Sequence, residues 1–374
     1  MHIEFQNVND AFKVLVSMFN KRVPRADLFT DTDSRNGPVR MINEPIIITY
    51  KKPRQRVLFH KNRDANPFFH LFESLWMLAG RNDIGPLCRY VKTYSDFSDD
   101  GVTANGAYGY RWRYSQAQVQ GEMTVDKGKT LHLGMSGNDF DGVYRVDQLQ
   151  TIIDHLKANP NSRRAVLQMW NVEDDLLKVD SSKDVCCNLS VMFSIRNTVQ
   201  PPGPGTPEDY GPVLDMTVTN RSNDLIWGAL GANVVHFSFL QEYMANCLGC
   251  RVGLYHQITN NLHVYLDKFT PEKWLEKTSD PISGETSIQL VQDQVTFDRE
   301  VQEFIDNSDW SRRWNEPFLD SIASPMMWAH HLHKLRKYDN ALSACEEIEA
   351  ADWRYVCTAW IIRRKMNWEA KKGG

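Results

Sequence analysis

The sequence predicts an α+β fold in which strands and helices are mixed along one chain. Residues 188–195 and 214–219 alternate apolar with polar side chains, which is typical of half-buried strands. Residues 66–79 are mostly apolar and predict a buried helix, and residues 234–249 predict a second packed helix. After about residue 326 the pattern is helical to the end of the chain.

The remaining elements follow from shorter signals. Residues 39–50 and 164–172 are rich in β-branched and apolar side chains and predict strands. Apolar residues at helical spacing predict a helix over 147–158, which Asn159-Pro160 ends.

Two polar stretches, about 115–145 and 198–212, are predicted as insertions at the surface, the second because it is rich in proline and glycine. We expect one catalytic domain over residues 1–325 and a helical extension over residues 326–374, because no linker separates independent halves.

Composition excludes several classes of function. The net charge of -4 over 374 residues gives no drive toward nucleic acid or anionic membranes. No apolar run reaches the roughly 20 residues of a membrane-spanning helix, and the N-terminus lacks the order of a signal peptide. The 7 cysteines are odd in number and scattered, so we expect no disulfide framework and a cytoplasmic protein.

Cys186 and Cys187 stand side by side at the head of the alternating run 188–195. Adjacent residues of a strand point to opposite faces, so the two thiols cannot share one role. The alternation assigns Cys187 to the apolar face, where a thiol is usually a small hydrophobic group. A nucleophilic cysteine needs partial exposure and a nearby cation, and the start of a strand can supply both. The pattern alone leaves the choice open.

Arginines lie in three short polar settings, at Arg35, at Arg163-Arg164 and at Arg221. Each can be a solvated surface residue, or the three can converge on a phosphate, which guanidinium groups bind bidentately. His263 and Tyr265 are two apart, so an extended backbone puts both on one face.

Cys247 and Cys250 have the spacing of a zinc or redox pair, but no second ligand pair accompanies them. We therefore predict no metal site and place these cysteines on or just past a packed helix.

Six segments in order resemble the thymidylate synthase and pyrimidine nucleotide hydroxymethylase superfamily: FESLWML, AYGYRW, NPNSRRAVLQMWNV, CNLSVMFSIR, NRSNDLIWGALGANVVHFSFLQEYMA and NNLHVY. The resemblance runs from about Arg35 to Tyr265. It implies a mixed sheet packed with helices, with one face of the sheet forming the interface of a homodimer.

The resemblance also implies a role for each matched residue. It makes Cys187 the nucleophile. The other implied roles are proton transfer for Glu73 and Tyr108, contact with the pyrimidine edge for Asn233, phosphate binding for Arg35, Arg221 and Ser222, phosphate binding from the partner subunit for Arg163 and Arg164, sugar binding for His263 and Tyr265, and a folate-side position for Asp224 and Tyr94.

The implied substrates are a pyrimidine nucleoside monophosphate and 5,10-methylenetetrahydrofolate. A thiolate that adds to C6 of the base makes C5 nucleophilic, so C5 can accept the one-carbon unit. An amide at Asn233 can accept from N3–H and donate to O4 of uracil, which favours dUMP.

Several departures from the synthase pattern favour water as the final acceptor, and hence a hydroxymethyl product. Cys186-Cys187-Asn188 replaces Pro-Cys-His, Tyr94 stands where synthases carry a shielding tryptophan, and the chain continues past the usual short tail. Asn223 also resembles the hydroxymethylase branch.

Thymidylate synthesis, hydroxymethylation of CMP or dCMP, and an inactive scaffold remain alternatives. Hydroxymethylases of this kind commonly serve phages that modify DNA bases, so we expect a viral source and a reaction in the host cytoplasm.

Overall fold

The computed structural model describes residues 1–20, 27–118, 143–198, 211–276 and 288–372. The strands in these ranges are β1 His2–Phe5, β2 Phe29–Ser34, β3 Gly37–Ile42, β4 Ile46–Tyr50, β5 Ser115–Gln118, β6 Val143–Val146, β7 Val166–Gln168, β8 Asn188–Thr198, β9 Gly211–Asn220, β10 Asn223–Asp224, β11 Arg251–Thr259 and β12 Leu262–Tyr265. The α-helices are α1 Val8–Phe19, α2 Pro67–Leu78, α3 Gly85–Cys88, α4 Tyr108–Arg113, α5 Gln148–Ala158, α6 Asn233–Cys247, α7 Pro271–Trp274, α8 Gln294–Asp306, α9 Ser324–Lys334, α10 Tyr338–Glu346 and α11 Ala351–Lys372. Shorter helical turns of other types lie at Lys92–Phe97, Val172–Leu176, Leu225–Ala232 and Leu319–Ala323.

The largest sheet has 6 strands in the order β1-β4-β11-β9-β8-β7. Pairs β1–β4 and β11–β9 are parallel and the other neighbours are antiparallel, so the predicted mixed sheet and α+β class are confirmed. Met216 and Tyr255 point to one face and are fully buried under α6. This face forms the core, which the alternation of residues 214–219 predicts.

The opposite face of the sheet is polar and partly exposed. Ser190 and Thr219 face each other across β8 and β9 with their hydroxyl oxygens 2.8 Å apart. Met192 is 37% exposed and Val166 is 47% exposed on the same side. Apolar side chains at this level of exposure on a broad sheet face are available to a further layer of protein.

Helices α2 and α6 carry side chains toward the site, and both agree with the prediction in type and differ from it by no more than two residues at either end. Helix α2 begins with Asn66 as its cap, whose side chain accepts from Phe69 N at 3.2 Å, followed by Pro67 in the first turn. Helix α4 packs tightly on α2 because Gly109 lies against Met77; a Cβ at Gly109 would lie 1.9 Å from the Met77 carbonyl oxygen. Any other residue there would push α4 away.

The structure corrects the prediction of one strand over residues 39–50. Asn43-Glu44-Pro45 separates β3 from β4, and the two strands belong to different sheets. The proline has no N–H to donate to a ladder, so the run breaks there. The strand expected over 164–172 is also shorter, since only Val166–Gln168 pairs with β8.

The two predicted insertions are described only at their bases. β5 pairs with β6 in a two-stranded ribbon where the first insertion begins and ends. β8 and β9 flank the second. Residues 119–142 and 199–210, which make up most of both predicted insertions, lie outside the described residues.

The C-terminal helices α9, α10 and α11 form a layer behind α2 and α6. Trp360 of α11 packs edge-on against Phe68 of α2 at 5.4 Å between ring centroids, and Trp353 lies 6.2 Å from Phe239 of α6. Most residues after 326 are helical, as the pattern predicts, and residues 319–334 are helical without a break across the expected boundary at 325/326. In the ranges that the structure describes, no helix is long and apolar enough to cross a membrane.

Candidate active site

The segment before β8 holds the cysteine pair, and a buried ion pair supports it. Asp175 is fully buried and accepts from Arg111, with Nη2 to Oδ1 at 3.0 Å. The same Oδ1 accepts the backbone N–H of Cys186 at 3.0 Å. Although burial opposes it, the hydrogen bond from Arg111 lowers the pKa of the Asp175 carboxyl, so a charged carboxylate orders this segment.

The two thiols differ sharply in environment. Cys186 is 1% exposed, and burial raises its pKa to about 12. Cys187 is partly exposed, and Nη2 of Arg221 lies 3.6 Å from its sulfur. The strand-pattern assignment of Cys187 to the apolar face is therefore wrong, and the accessible thiol is the one that the resemblance selects.

A one-residue irregularity in the ladder explains the reversal. Asn188 pairs with Asn220 but Ser190 pairs with Thr219, so the register shifts by one between them. Such a shift turns every preceding side chain to the other face. Asn188 is consequently buried, where its Nδ2 donates to Asn220 Oδ1, and Cys187 turns outward.

Two predicted phosphate arginines converge on the Cys187 segment. Arg221 donates to the backbone oxygens of Cys186 at 2.9 Å and Val185 at 3.0 Å. Arg35, from the turn between β2 and β3, donates to the backbone oxygens of Ser182 and Lys183, each at 3.0 Å. Burial raises the pKa of the Cys187 thiol, while Arg221 and Arg35 counteract it. Arg221 and Arg35 thus favour a thiolate at Cys187, and the same two cations would attract an anionic ligand.

Glu73 of α2 lies in a polar cluster with Tyr94 and His236. Tyr94 Oη donates to Glu73 Oε1 at 3.4 Å, and His236 Nε2 of α6 lies 3.0 Å from Glu73 Oε2. Burial raises the pKa of Tyr94 well above its usual range, so its phenol stays protonated as a donor. A carboxyl with a phenol on one oxygen and an imidazole at the other can exchange protons through either neighbour.

Tyr108 begins α4 and is held by the loop before it. Gly106 donates its N–H to Asp184 Oδ2 at 2.7 Å, which ties this loop to the residues just before Cys187. Burial raises the pKa of Tyr108 well above its usual range, and the nearby Cys187 thiolate adds to this effect. The tyrosine therefore lies near the sulfur as a neutral hydroxyl.

Asn233 begins α6 and makes one contact to a neighbouring amide. Its Nδ2 donates to Asn223 Oδ1 at 2.9 Å. Gly228 allows this approach, because a Cβ there would lie 2.2 Å from the Asn223 Oδ1. The pair fixes the orientation of the Asn233 side chain, leaving its carbonyl oxygen as the acceptor for a ligand.

The predicted sugar-binding residues lie beside the predicted phosphate serine. The rings of His263 and Tyr265 are 5.3 Å apart between centroids, which confirms that both project from one face of β12. Ser222 Oγ is 3.5 Å from His263 Nδ1. β10, which contains Asn223 and Asp224, pairs directly with β12, so this ladder joins the sugar side to Asn223.

Asp224 has a local structural role as well. Its Oδ1 accepts the N–H groups of Ile226 at 2.9 Å and Trp227 at 2.6 Å and so caps the helical turn Leu225–Ala232. Burial raises the pKa of this carboxyl.

Arg163 and Arg164 are not part of this cluster. Both are exposed, and neither side chain makes a hydrogen bond or ion pair with any part of the chain that the structure describes. Ala165 O accepts from Phe193 N at 3.0 Å, six residues along β8 from Cys187. At about 3.3 Å per residue this places the arginines roughly 20 Å from the thiol of their own chain.

Sequence reasoning missed several residues of the site. His236 and Asp175 were not singled out, nor was His70, whose pKa burial lowers to about 3 with His236 nearby. All three occur in buried or irregular stretches without periodic polar signals. Of the three, only His70 had a signal in the sequence, because it lies one helical turn from Glu73 on α2.

The predicted position of Cys247 and Cys250, on or just past a packed helix, agrees with the structure. Cys247 is the last residue of α6, and Cys250 lies just past it. All 7 cysteines are described, and each is a free thiol. Among the described residues there is no group of three or more His, Cys, Asp and Glu side chains placed to hold a metal ion.

Comparison with known proteins decides the family. A profile of the family described as Thymidylate synthase matches residues 61–306, more than half of the 374 residues. The chain belongs to the thymidylate synthase family. The predicted membership is therefore confirmed, and with it the prediction of an enzyme fold for one-carbon transfer. Arg35 and the helices α9 to α11 lie outside the matched range.

Individual relatives in the thymidylate synthase family carry two names. A deoxyuridylate hydroxymethyltransferase of Pseudomonas phage M6 is 39% identical over 357 residues, which is 91% of this chain and 89% of that protein. A protein of the same name from Bacillus phage SP01 is 37% identical over 263 residues, 70% of this chain and 58% of that protein. A thymidylate synthase of Streptococcus suis (strain 05ZYH33) is 25% identical over 214 residues, 56% of this chain and 67% of that protein.

The residues present fit the substrates of a thymidylate synthase family member. Asp224 Oδ2 and Asn223 Nδ2 are buried and have no hydrogen-bond partner among the described residues. Buried polar atoms are nearly always paired in native structures, so these two atoms are available to a ligand. Pyrimidine and pterin rings both carry the N–H donors and carbonyl acceptors that would pair with these two atoms.

Proposed function

We propose that this protein transfers a one-carbon unit from 5,10-methylenetetrahydrofolate to C5 of dUMP and releases 5-hydroxymethyl-dUMP. The observation that carries the proposal is the accessible Cys187 thiol with Arg221 Nη2 at 3.6 Å from its sulfur. A thiolate stabilised by a guanidinium can add to C6 of the pyrimidine, which makes C5 a nucleophile. The folate supplies the carbon at the oxidation level of formaldehyde.

Each neighbouring residue has a task in this scheme. Arg35, Arg221 and Ser222 bind the phosphate, and His263 and Tyr265 bind the 3′-hydroxyl, which together hold C6 over the sulfur. Asn233 accepts from N3–H and donates to O4 in an orientation that Asn223 fixes. Glu73, with His236 and Tyr94, moves protons at the base oxygen, and Tyr108 assists removal of the C5 proton. Asp224 contacts the folate side through its unpaired Oδ2.

The final step distinguishes the proposed product from thymidylate. Water adds to the exocyclic methylene at C5, so dUMP, methylenetetrahydrofolate and water give hydroxymethyl-dUMP and tetrahydrofolate with no net oxidation or reduction. Thymidylate synthesis instead needs a hydride from the folate and leaves dihydrofolate. Two observations support the hydroxymethyl product: the Tyr94 hydroxyl on Glu73, which is a polar group in place of a shielding ring, and the similarity to the two phage deoxyuridylate hydroxymethyltransferases.

The proposal includes a homodimer in which the exposed sheet face forms the interface. Met192 and Val166 on that face would be buried by a second copy. Arg163 and Arg164, too far from Cys187 of their own chain, would then bind the phosphate in the partner's site. Four guanidinium groups around one dianion would result, two from each chain.

A double readout tests the reaction. The enzyme is incubated with [5-³H]-dUMP and methylenetetrahydrofolate while tritium release and absorbance at 340 nm are followed together. We expect tritium release without the absorbance rise of dihydrofolate, and a hydroxymethyl nucleotide by mass spectrometry. Release with rising absorbance would establish thymidylate synthesis instead.

Two further arms cover the remaining alternatives. Release from [5-³H]-dCMP or [5-³H]-CMP but not from dUMP would assign a cytidine nucleotide. No release from any of the three, with no covalent adduct between Cys187 and 5-fluoro-dUMP, would leave the inactive scaffold.

A further inference from the structure

The C-terminal helix α11 contacts the loop that precedes α2. Arg363 donates to Asp64 Oδ1 from Nε at 3.1 Å and from Nη2 at 3.0 Å, and Arg364 Nη1 donates to the same oxygen at 2.6 Å. Two guanidinium groups thus hold one carboxylate oxygen across almost 300 residues of sequence. Both arginines lie beyond the range that the family profile matches.

Asp64 is held in an unusual backbone conformation. Its φ is 49°, in the left-handed region that residues other than glycine seldom occupy. Aspartate enters this region more readily than most residues, and contacts made by its side chain help to hold it there. The three hydrogen bonds from α11 are such contacts, because they fix the direction of the Asp64 side chain.

The hydrogen bonds of Arg363 and Arg364 to Asp64 form what we call the clamp, and packing of α11 on α2 supports it. Cζ of Arg364 lies over the ring of Trp360, 3.9 Å from its centroid, and Trp360 packs against Phe68 of α2. The guanidinium therefore has a fixed platform on one side and its carboxylate partner on the other. Helix α11 connects the loop before α2 to the first turn of α2 itself.

The neighbour of Asp64 reaches the candidate active site. Arg63 Nε donates to Ile226 O at 3.3 Å, and its Nη2 would lie 3.4 Å from a Cβ at Gly231. The Asp224 carboxylate counteracts the burial that lowers the pKa of Arg63 to about 10, so this arginine also lies close to Asp224. Arg63 is thereby seated on the helical turn Leu225–Ala232, between Asp224 and Asn233.

We propose that Arg363 and Arg364 are positioning residues for the active site: by holding Asp64 they seat Arg63 against the turn that leads from Asp224 to Asn233. The extension then acts on the site from behind, without touching a substrate. Which substrate the clamp affects is inferred from the proposed function, in which Asp224 lies on the folate side. Loss of the clamp should therefore weaken binding of the folate more than binding of the nucleotide.

The test compares three variants of the full chain. R363Q/R364Q removes the clamp from the helix side, and D64N weakens it from the loop side. K365Q is the matched control, because Lys365 forms a 2.7 Å ion pair with Asp339 of α10 from the next position of α11 and has no contact with Asp64. We expect the KM for methylenetetrahydrofolate to rise roughly five- to tenfold in the first two variants, the range of long-range coupling, with the KM for dUMP changed less than about twofold.

A second readout does not depend on catalysis. Hydrogen exchange of the amides in 224–232 should become faster in R363Q/R364Q and in D64N but not in K365Q, with all variants folded by circular dichroism. Combining D64N with R363Q/R364Q should add little, because the two changes remove the same contacts.

Unchanged exchange in 224–232, or an equal change in K365Q, would overturn the proposal. A wild-type protein that transfers no one-carbon unit would instead overturn the proposed function, and the exchange experiment would still decide whether the clamp positions the turn.

Discussion

Two pairs of arginines from the same sequence resemblance lie in very different surroundings. Arg35 and Arg221 are seated on the backbone oxygens of residues 182–186 beside Cys187. Arg163 and Arg164 are exposed at the other end of the β7–β8 ladder. The first pair is held by backbone oxygens of its own chain, whereas the side chains of the second pair contact no hydrogen-bonding or charged partner among the described residues. In the proposed dimer, a single chain would therefore contribute two arginines to its own phosphate site and two to the site of its partner.

The largest expected loss of activity comes from a substitution beside the first pair of arginines, at Cys187. Replacing Cys187 with serine should lower one-carbon transfer by about 10⁴-fold or more, because the weaker nucleophile cannot form the C6 adduct. Activity and the mass of the 5-fluoro-dUMP adduct are the measurements. C186S is the control, since that thiol is buried and should be dispensable. An adduct in C187S but not in C186S would move the nucleophile to Cys186.

The role of the exposed pair, Arg163 and Arg164, is tested by mixing two inactive variants. R163A/R164A should lose about 100-fold in transfer activity, because the dianion loses two bidentate partners. An equal mixture of this variant with C187S, unfolded and refolded together, should recover about a quarter of wild-type activity, since half the dimers are mixed and each has one complete site. Recovery should fail if the arginines act in their own chain. Replacing Arg40, which pairs with Asp31 on the surface, serves as the matched arginine control.

The third prediction concerns the partly exposed face of the large sheet, which carries Met192. M192K places a charge on the proposed interface and should shift the dimer toward monomer, so that specific activity falls on dilution at least several-fold more than for wild type. Sedimentation velocity measures the assembly. V295K, at a residue of α8 that is 76% exposed, should leave assembly unchanged. A dimer that persists in M192K at the same concentrations would exclude this face.

The smallest effect concerns the thiol alone. Burial raises the pKa of Cys187 and Arg221 counteracts it, so R221Q should raise that pKa further. Alkylation of Cys187 by iodoacetamide at neutral pH should become a few-fold slower, and its pH profile should move to higher pH. The same change in R163Q would remove the contrast between the two arginine pairs. The reaction is followed by peptide mass spectrometry.

The sequence was sufficient for the elements that have a clear pattern. Strands β8 and β9 follow from their alternation, because one face of each is buried against the core, and helices α2 and α6 follow from their many apolar residues, because both are buried on nearly all sides. The register shift at Leu189 was not predictable, since one extra residue in a strand leaves the composition of the run unchanged while it reverses the faces of Cys186 and Cys187. The break between β3 and β4 had a visible cause in Pro45, which the apolar run around it concealed.

The clamp on Asp64 illustrates a different limit. Nothing local connects Asp64 with Arg363 and Arg364, since only the packing of α11 on α2 brings them together. His236 was concealed for a related reason, because α6 is buried on nearly all sides and its polar residues follow no face. Site residues that touch one another through tertiary packing alone have no signature in a single sequence.

The order of the large sheet also governs how this protein can be made. β8 and β9 are consecutive strands that pair with each other, but β4 pairs with β11 about 200 residues later in the chain. Contacts so distant in sequence slow folding, because the chain loses the entropy of closing a long loop before the stabilising strand contacts form. During synthesis β4 must wait for β11 to leave the ribosome, with its apolar face uncovered meanwhile. Helices α9 and α11, which contact α2, come later in the chain than every strand of the sheet, so we expect the sheet to form before α2 is covered.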